Sequence, residues 1–261
     1  MILDEILAEK KRTVGYSRFR LPLADLEGKA TSMSAMSPAK DFAQALRSSA
    51  AGIGCIAEFK RRSPSKGWID REANLPSVVS AYELGGATAI SVLTDTPFFG
   101  GSLDDLRVAR ATTRLPILRK DFIIDPYQVA EARAAGADAV LLIVAALRDS
   151  DLRGLLAEIR RWGMEALVEA HDAEEVARAV SAGARVLGVN HRDLRTFQMN
   201  MDLAVTMRPL VPSDCVMVAE SGIRTAADVH RMRGARIDAI LVGESLMQAS
   251  DPALALRELL A

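Results

Sequence analysis

The 261-residue chain holds only two cysteines, Cys55 and Cys215, and three histidines, His171, His191 and His230. Both cysteines stand in apolar, strand-like runs, which suits buried reduced thiols better than a disulfide. The histidines lack the short spacing at which two imidazoles share an ion, so no metal site is expected. No sign of charge dominates. Lys and Arg number 33 against 34 Asp and Glu, with no like-charge block to mark a nucleic-acid or membrane-surface partner. An anionic ligand would have to be held by local geometry. No apolar run approaches the roughly 18–20 residues needed to cross a bilayer, and the N-terminal "MILDEILAEKKRTV" is amphipathic and carries acids, unlike a signal peptide. The expectation is a cytoplasmic protein with neither nucleic acid nor membrane as partner. No coiled-coil seam or apolar helix demands a second subunit, so a monomer is expected.

What the chain does have is a repeat. "GATAISVL" from Gly86, "GADAVLLI" from Gly136, "GARVLGVN" from Gly183 and "GARIDAILVG" from Gly234 recur at about fifty residues. Each follows a helix-like segment, and each Gly stands where a left-handed residue would end that helix. Between the copies lie four further short apolar strands, "CIAEFK", "LPILRKDF", "MEALVEA" and "CVMVAESG". Eight strands alternating with helices, in units of about 25 residues, predict parallel pairing and a closed (β/α)8 barrel. A doubly wound sheet would carry a glycine-rich turn after its first strand, and "EFKRRSPSKG" is not one. The whole of residues 1–261 reads as one barrel domain. Its residues 1–50 form an N-terminal helical extension of two helices, "LDEILAEKKRTV" and "SPAKDFAQALRSS", joined by a polar segment. The sequence does not say whether they cover the top or the bottom of the barrel.

Barrel enzymes carry their chemistry at the C-terminal strand ends. The first strand ends in Glu58 and Lys60, two apart and hence on one face. The third supplies Lys120, the fifth Glu169, the sixth Asn190 and Arg192, and the seventh Glu220 and Ser221. A single strand-end charge is as readily a solvated cap as a functional group. A convergent set is harder to explain that way, because each unpaired buried charge costs several kcal/mol. Arg119 points to the opposite face from Lys120 and reads as a structural ion-pair partner, while Asp121 faces away and fixes the loop. His171 and Asp172 read as helix caps. "AESGIRT" and "LVGESLM" each place a Gly between a strand end and a helix, which makes the backbone N–H groups around Gly222, Gly243 and Glu244 a candidate phosphate site.

In order along the chain, "IAEFKRRSPSKG", "LTDTPFFGGS", "LRKDFIIDPYQV", "LVEAH", "GVNHRDLRTF", "VAESGI" and "LVGESLM" together resemble the indole-3-glycerol phosphate synthase family, over essentially the whole sequence. The resemblance implies a cofactor-free lyase that converts 1-(2-carboxyphenylamino)-1-deoxyribulose 5-phosphate to indole-3-glycerol phosphate in tryptophan biosynthesis, with loss of carbon dioxide and water. It implies Lys120 as catalytic acid and Glu169 as base. Lys60 and Glu58 are candidates for the dehydration and for steering the carboxylate, and Asn190 for a substrate hydroxyl. Glu220 would bind a hydroxyl or orient a lysine. Arg192 offers a planar fork to the aryl carboxylate, with Ser63 as second donor. Phe98, Phe99 and Phe122 would line the ring pocket, and Ser221, Gly222, Gly243 and Glu244 the phosphate end. The loop "RRSPSKG" becomes a candidate lid. "TFQMNM" departs from the family's acid-containing stretch at Gln198 and Asn200, which should lie outside the site. Two other readings are weaker. An isomerase of phosphoribosylanthranilate would have no use for the Asn-x-Arg pair, and a non-catalytic phosphate-binding barrel would leave Lys120 and Glu169 dispensable.

Overall fold

A computed structural model describes residues 2–193 and 196–261. Eight parallel strands close on themselves: β1 (Gly54–Phe59), β2 (Ala89–Leu93), β3 (Ile117–Lys120), β4 (Ala139–Ile143), β5 (Glu165–Ala170), β6 (Val186–Asn190), β7 (Val216–Glu220) and β8 (Ala239–Val242). Each pairs with its successor, and β8 pairs with β1, so the barrel has no free edge. The fold is the expected (β/α)8 barrel with N-terminal helices.

Because side chains alternate along a strand, each strand supplies two cores. Ile56, Ala89, Leu118, Ala139, Leu167, Val186, Val216 and Ala239 fill the interior, while Cys55, Ala57, Phe59, Ile90, Val92 and Ile117 pack outward beneath the helices. Cys55 and Cys215 are free and buried, and burial alone pushes the Cys55 thiol up to about 12. Most of the surrounding helices start where the sequence provides a cap. Asn74, Ser102, Asp125, Asp172, Thr225 and Asp251 each accept a backbone N–H of the following turn.

Three of the four repeat glycines take the left-handed conformation, Gly86 at φ 98°, Gly136 at 94° and Gly183 at 87°. Gly234 does not. In the longer fourth copy the helix Ala226–Gly234 runs through it, and Arg236 turns the chain instead at φ 58°.

The extension also departs from expectation, with three helices where two were read: α1 (Ile2–Arg20), α2 (Leu23–Met36) and α3 (Phe42–Arg47). The supposed polar linker is α2. Few of its side chains are buried, and tertiary packing makes the helix: Leu26 and Ala30 are the buried ones, and Leu26 joins Val14, Tyr127 and Ala130 in a small core of its own. The Tyr127 hydroxyl caps the α1–α2 turn by donating toward the carbonyls of Ser17 and Leu21, each at 3.0 Å.

The extension meets both ends of the barrel. Phe42 and Leu46 of α3 close the bottom against the lowest interior layer. That contact is tight enough that a Cβ on Gly54 would stand 2.5 Å from the Leu46 carbonyl oxygen. At the other end α1 lies over the top, where its buried Lys10 reaches Asp95 (2.9 Å) after β2 and Asp121 (2.7 Å) after β3.

Candidate active site

The strand alternation that fills the interior with aliphatic residues sends Glu58, Lys120, Glu169, Asn190 and Glu220 to its upper rim. The register sets them side by side: Glu58 is opposite Ser91, Leu93 opposite Lys120, Ile143 opposite Glu169, and Asn190 opposite Glu220. Lys120 Nζ stands at the centre, 3.4 Å from Glu220 Oε2, 3.5 Å from Glu58 Oε2 and 3.9 Å from Glu169 Oε2. Lys60 Nζ meets Glu58 Oε1 at 2.8 Å, so Glu58 holds both amines.

The electrostatics divide these carboxyls. Burial favours the neutral form of each, but Lys60 and Lys120 overcome it at Glu58 and hold that group below the ordinary carboxylate range. At Glu169, His171, Lys120 and a hydrogen bond from Asn190 outweigh burial and bring the carboxyl to about 2. Glu220 goes the other way. Burial and the neighbouring Glu169 and Glu58 push it up to about 8 against the pull of Lys120, and neither of its oxygens has an aligned hydrogen bond. The protein makes room for it with a glycine, since a Cβ on Gly188 would fall 2.1 Å from Glu220 Oε1. Burial would lower Lys120, yet Glu58, Glu220 and Glu169 together raise it, so the ammonium stays protonated.

One cavity joins these groups to most of the other candidates. Its lining includes Glu58, Lys60, Ser63, Phe99, Lys120, Phe122, Glu169, Asn190, Arg192, Glu220, Ser221, Gly222, Gly243 and Glu244. Phe99 and Phe122 tilt against each other with centroids 6.1 Å apart. Phe98 packs beside them against the interior core but does not line the cavity. Gly243 has a steric reason, because a Cβ there would stand 2.8 Å from Glu58 Oε1. At the opposite wall Ser221 (φ 67°) and Gly222 (φ 79°) are consecutive left-handed residues, an arrangement that turns successive N–H groups to one side. The His191 ring fixes this turn through a 2.9 Å contact between Nδ1 and the Ser221 carbonyl oxygen.

The loop after β1 folds as a short hairpin, Arg62–Ser63 with Gly67–Trp68, that leans over the cavity. Arg61 clamps Asp105 with two 2.9 Å bonds, and Trp68 packs on the Gly100 turn, where a Cβ would approach Cζ3 to 3.0 Å. Ser63, within the hairpin, is buried and lines the cavity. Arg119 faces outward, bonded to Asp121, Thr94 and the Gln128 carbonyl at 2.7–3.0 Å.

Sequence reasoning missed three contributors. Ile2, Leu3 and Ile6 of α1 line the cavity, and only the choice between top and bottom concealed them. Phe197, next to the divergent Gln198, lines it as well, and Met199 and Met201 press on Gly222. Gln198 and Asn200 themselves are exposed and stay out of the cavity. His171 is the third. Asp172 caps the helix Ala173–Ala182, but the His171 ring does not act as a cap: it lies between Glu169 Oε1 (3.2 Å from Nε2) and Glu175 Oε2 (3.0 Å from Nδ1). The spacing of two from Glu169, the same that linked Glu58 to Lys60, was the available signal.

Residues 3–259 match the family described as indole-3-glycerol phosphate synthase. Among curated relatives, "Indole-3-glycerol phosphate synthase 2" of Streptomyces coelicolor is 50% identical over 259 residues, covering 99% of this chain and 98% of its own. "Indole-3-glycerol phosphate synthase" of Kineococcus radiotolerans is 46% identical over 263 residues, covering 100% and 95%. Among solved structures, 3-hexulose-6-phosphate synthase from Salmonella typhimurium superposes with a TM-score of 0.63 at 17% identity, over 80% of this chain and 97% of that one, a likeness of fold alone.

Proposed function

We infer the division of labour in this cavity from one premise: the chain belongs to the indole-3-glycerol phosphate synthase family and is a carboxy-lyase of tryptophan biosynthesis. The substrate, 1-(2-carboxyphenylamino)-1-deoxyribulose 5-phosphate, brings a phosphate, an aryl carboxylate, an apolar ring and a ketone. The N–H groups around Gly222, Gly243 and Glu244, with Ser221, take the phosphate. Arg192 and Ser63 take the carboxylate. Phe99, Phe122 and the aliphatic side chains of α1 enclose the ring, with Phe98 supporting them from behind.

Ring closure begins when the aryl carbon bearing the carboxylate attacks the ketone. Negative charge then develops on the ketone oxygen, and the Lys120 ammonium stabilises and protonates it. Loss of carbon dioxide restores the aromatic ring. The new hydroxyl departs as water with a proton from Lys60, pushed by the ring nitrogen, and leaves a cation. Glu169 removes a proton from the five-membered ring of that cation to give indole-3-glycerol phosphate. The cation is a strong carbon acid, so a weakly basic carboxylate suffices provided it is ionised and aimed. Glu58 holds Lys60 and Lys120 in place, while Asn190 and Glu220 contact the sugar hydroxyls.

The observation that carries this reading is Lys120 centred among Glu58, Glu169 and Glu220 at the rim of an apolar pocket. The test is incubation of purified protein with the substrate while indole absorbance is followed, then repetition with Lys120→Ala. No indole from wild type would sink the reading, whereas unchanged turnover in the variant would remove Lys120 from its role. The proposal includes a cytoplasmic monomer free of metal and cofactor, tested by cell fractionation, sedimentation and activity after chelation.

A further inference from the structure

His171 has no part in the steps above, yet its ring is buried between two carboxylates. Nε2 lies 3.2 Å from Glu169 Oε1, a charge contact rather than an aligned hydrogen bond, and Nδ1 lies 3.0 Å from Glu175 Oε2. Glu175 also accepts the His171 backbone N–H at 2.8 Å, which fixes the ring above the first turn of the helix Ala173–Ala182. The charged groups facing the ring are Glu169 from β5 and Glu175 from that helix, with Lys120 beyond Glu169. Neutral imidazole carries one N–H and one lone pair, so between two carboxylates it would direct a lone pair at one of them. Only imidazolium turns positive charge, and no lone pair, toward both.

We propose that His171 is a positioning residue, held as imidazolium by Glu175, that keeps Glu169 ionised and turned toward the substrate for the final proton removal. The proposal rests on the assignment of Glu169 as base. It explains why Glu169 avoids sharing a proton with Glu220, its neighbour around Lys120: Glu169 has a second cation in His171, whereas among the described residues Glu220 has Lys120 alone. Consistently, the two carboxylates raise His171 to about 10 against the opposing effect of burial.

The decisive comparison is the pH dependence of kcat for wild type, His171→Gln and Glu175→Gln. Wild type should keep kcat level down to the onset of acid unfolding. In His171→Gln, loss of the neighbouring cation should move the acid limb of kcat upward by about 1 pH unit or more, with KM unchanged. Glu175→Gln, which leaves the ring in place but removes its support, should move the limb in the same direction by less. A His171→Gln profile that runs parallel to wild type, however large the loss, would mean that the ring only packs, and would overturn the proposal. NMR of the imidazoles, tractable with three histidines, gives an answer even if His171→Gln fails to fold. His171 should stay protonated through neutral pH in wild type and titrate lower in Glu175→Gln, and an ordinary titration in wild type would overturn the proposal. Absence of indole from wild type would instead strike the functional reading, leaving the NMR result to decide the charge on His171.

Discussion

Two buried ion clusters sit about one strand apart at the top of the barrel, and they are built to opposite standards. In the first, Lys10, Asp95, Asp121, Arg119 and Thr94 meet at 2.7–3.0 Å. Asp121 also accepts the Phe122 N–H, and Asp95 accepts that of Phe98. Every charge there has close partners, and Asp121 is held at about 2 by Arg119 and Lys10 despite its burial. In the second, Lys120 faces three carboxylates at 3.4–3.9 Å, and Glu220 has no aligned bond. The saturated cluster ties α1 to the loops after β2 and β3. The loose one leaves hydrogen-bonding capacity that a substrate would fill, and strain of this kind is characteristic of functional sites.

The largest expected break in this contrast is Lys120→Ala, which should lower kcat by about 10²–10⁴ with little loss of stability. Glu58 keeps Lys60, Glu169 keeps His171, and Glu220, already raised to about 8, can take up a proton. Steady-state kinetics and a urea titration on one preparation measure both. Lys10→Met should do the reverse. Leaving Asp95 without its cation inside the protein should cost about 3 kcal/mol of stability, and the loosened α1 should raise KM more than it lowers kcat. Arg192→Ala should weaken substrate binding by about 2 kcal/mol while inhibition by inorganic phosphate stays the same. Equal weakening of both would assign Arg192 to the phosphate instead.

The most diagnostic effect, read as a slope with pH, belongs to Glu220→Gln. Its carboxyl rises from an ordinary 4.5 to about 8 in the folded chain. Between those values the unfolded chain releases a proton that the folded chain retains, so stability falls as pH climbs through that window and levels off above about 8. The amide removes that slope. Thermal melts across the window should show Glu220→Gln more stable than wild type at its alkaline end and nearly equal at its acid end, with activity reduced.

The barrel was legible because closure depends on a local pattern: buried strands at a regular interval, each ending in residues whose two-residue spacing fixes their direction. Glu58, Lys60, Lys120, Glu169, Asn190 and Glu220 were found by that rule and share one cavity with Arg192. The rule failed where partners are distant in sequence. Lys10 pairs with residues 95 and 121, and nothing in "LAEKKRTV" distinguishes it from its exposed neighbour Lys11. The helix α2 was unreadable because its order comes from Tyr127 and Ala130 more than a hundred residues later. At Gly234 the local signal was present, but two extra residues in that copy moved the turn to Arg236. Misreading His171 as a cap arose because its neighbour Asp172 is a cap in fact.

The extension that grips both ends of the barrel also sets an order of assembly. Leu46 and Phe42 have no complete surface to dock on until Ala239 of β8 has joined Gly54 of β1, so α3 should be among the last elements to settle. Until then the apolar faces of Phe42 and Leu46 stay open to solvent or to a chaperone. Amide protection in α3, followed by pulsed hydrogen exchange during refolding, should therefore appear together with that of β8 and report the moment at which the barrel closes.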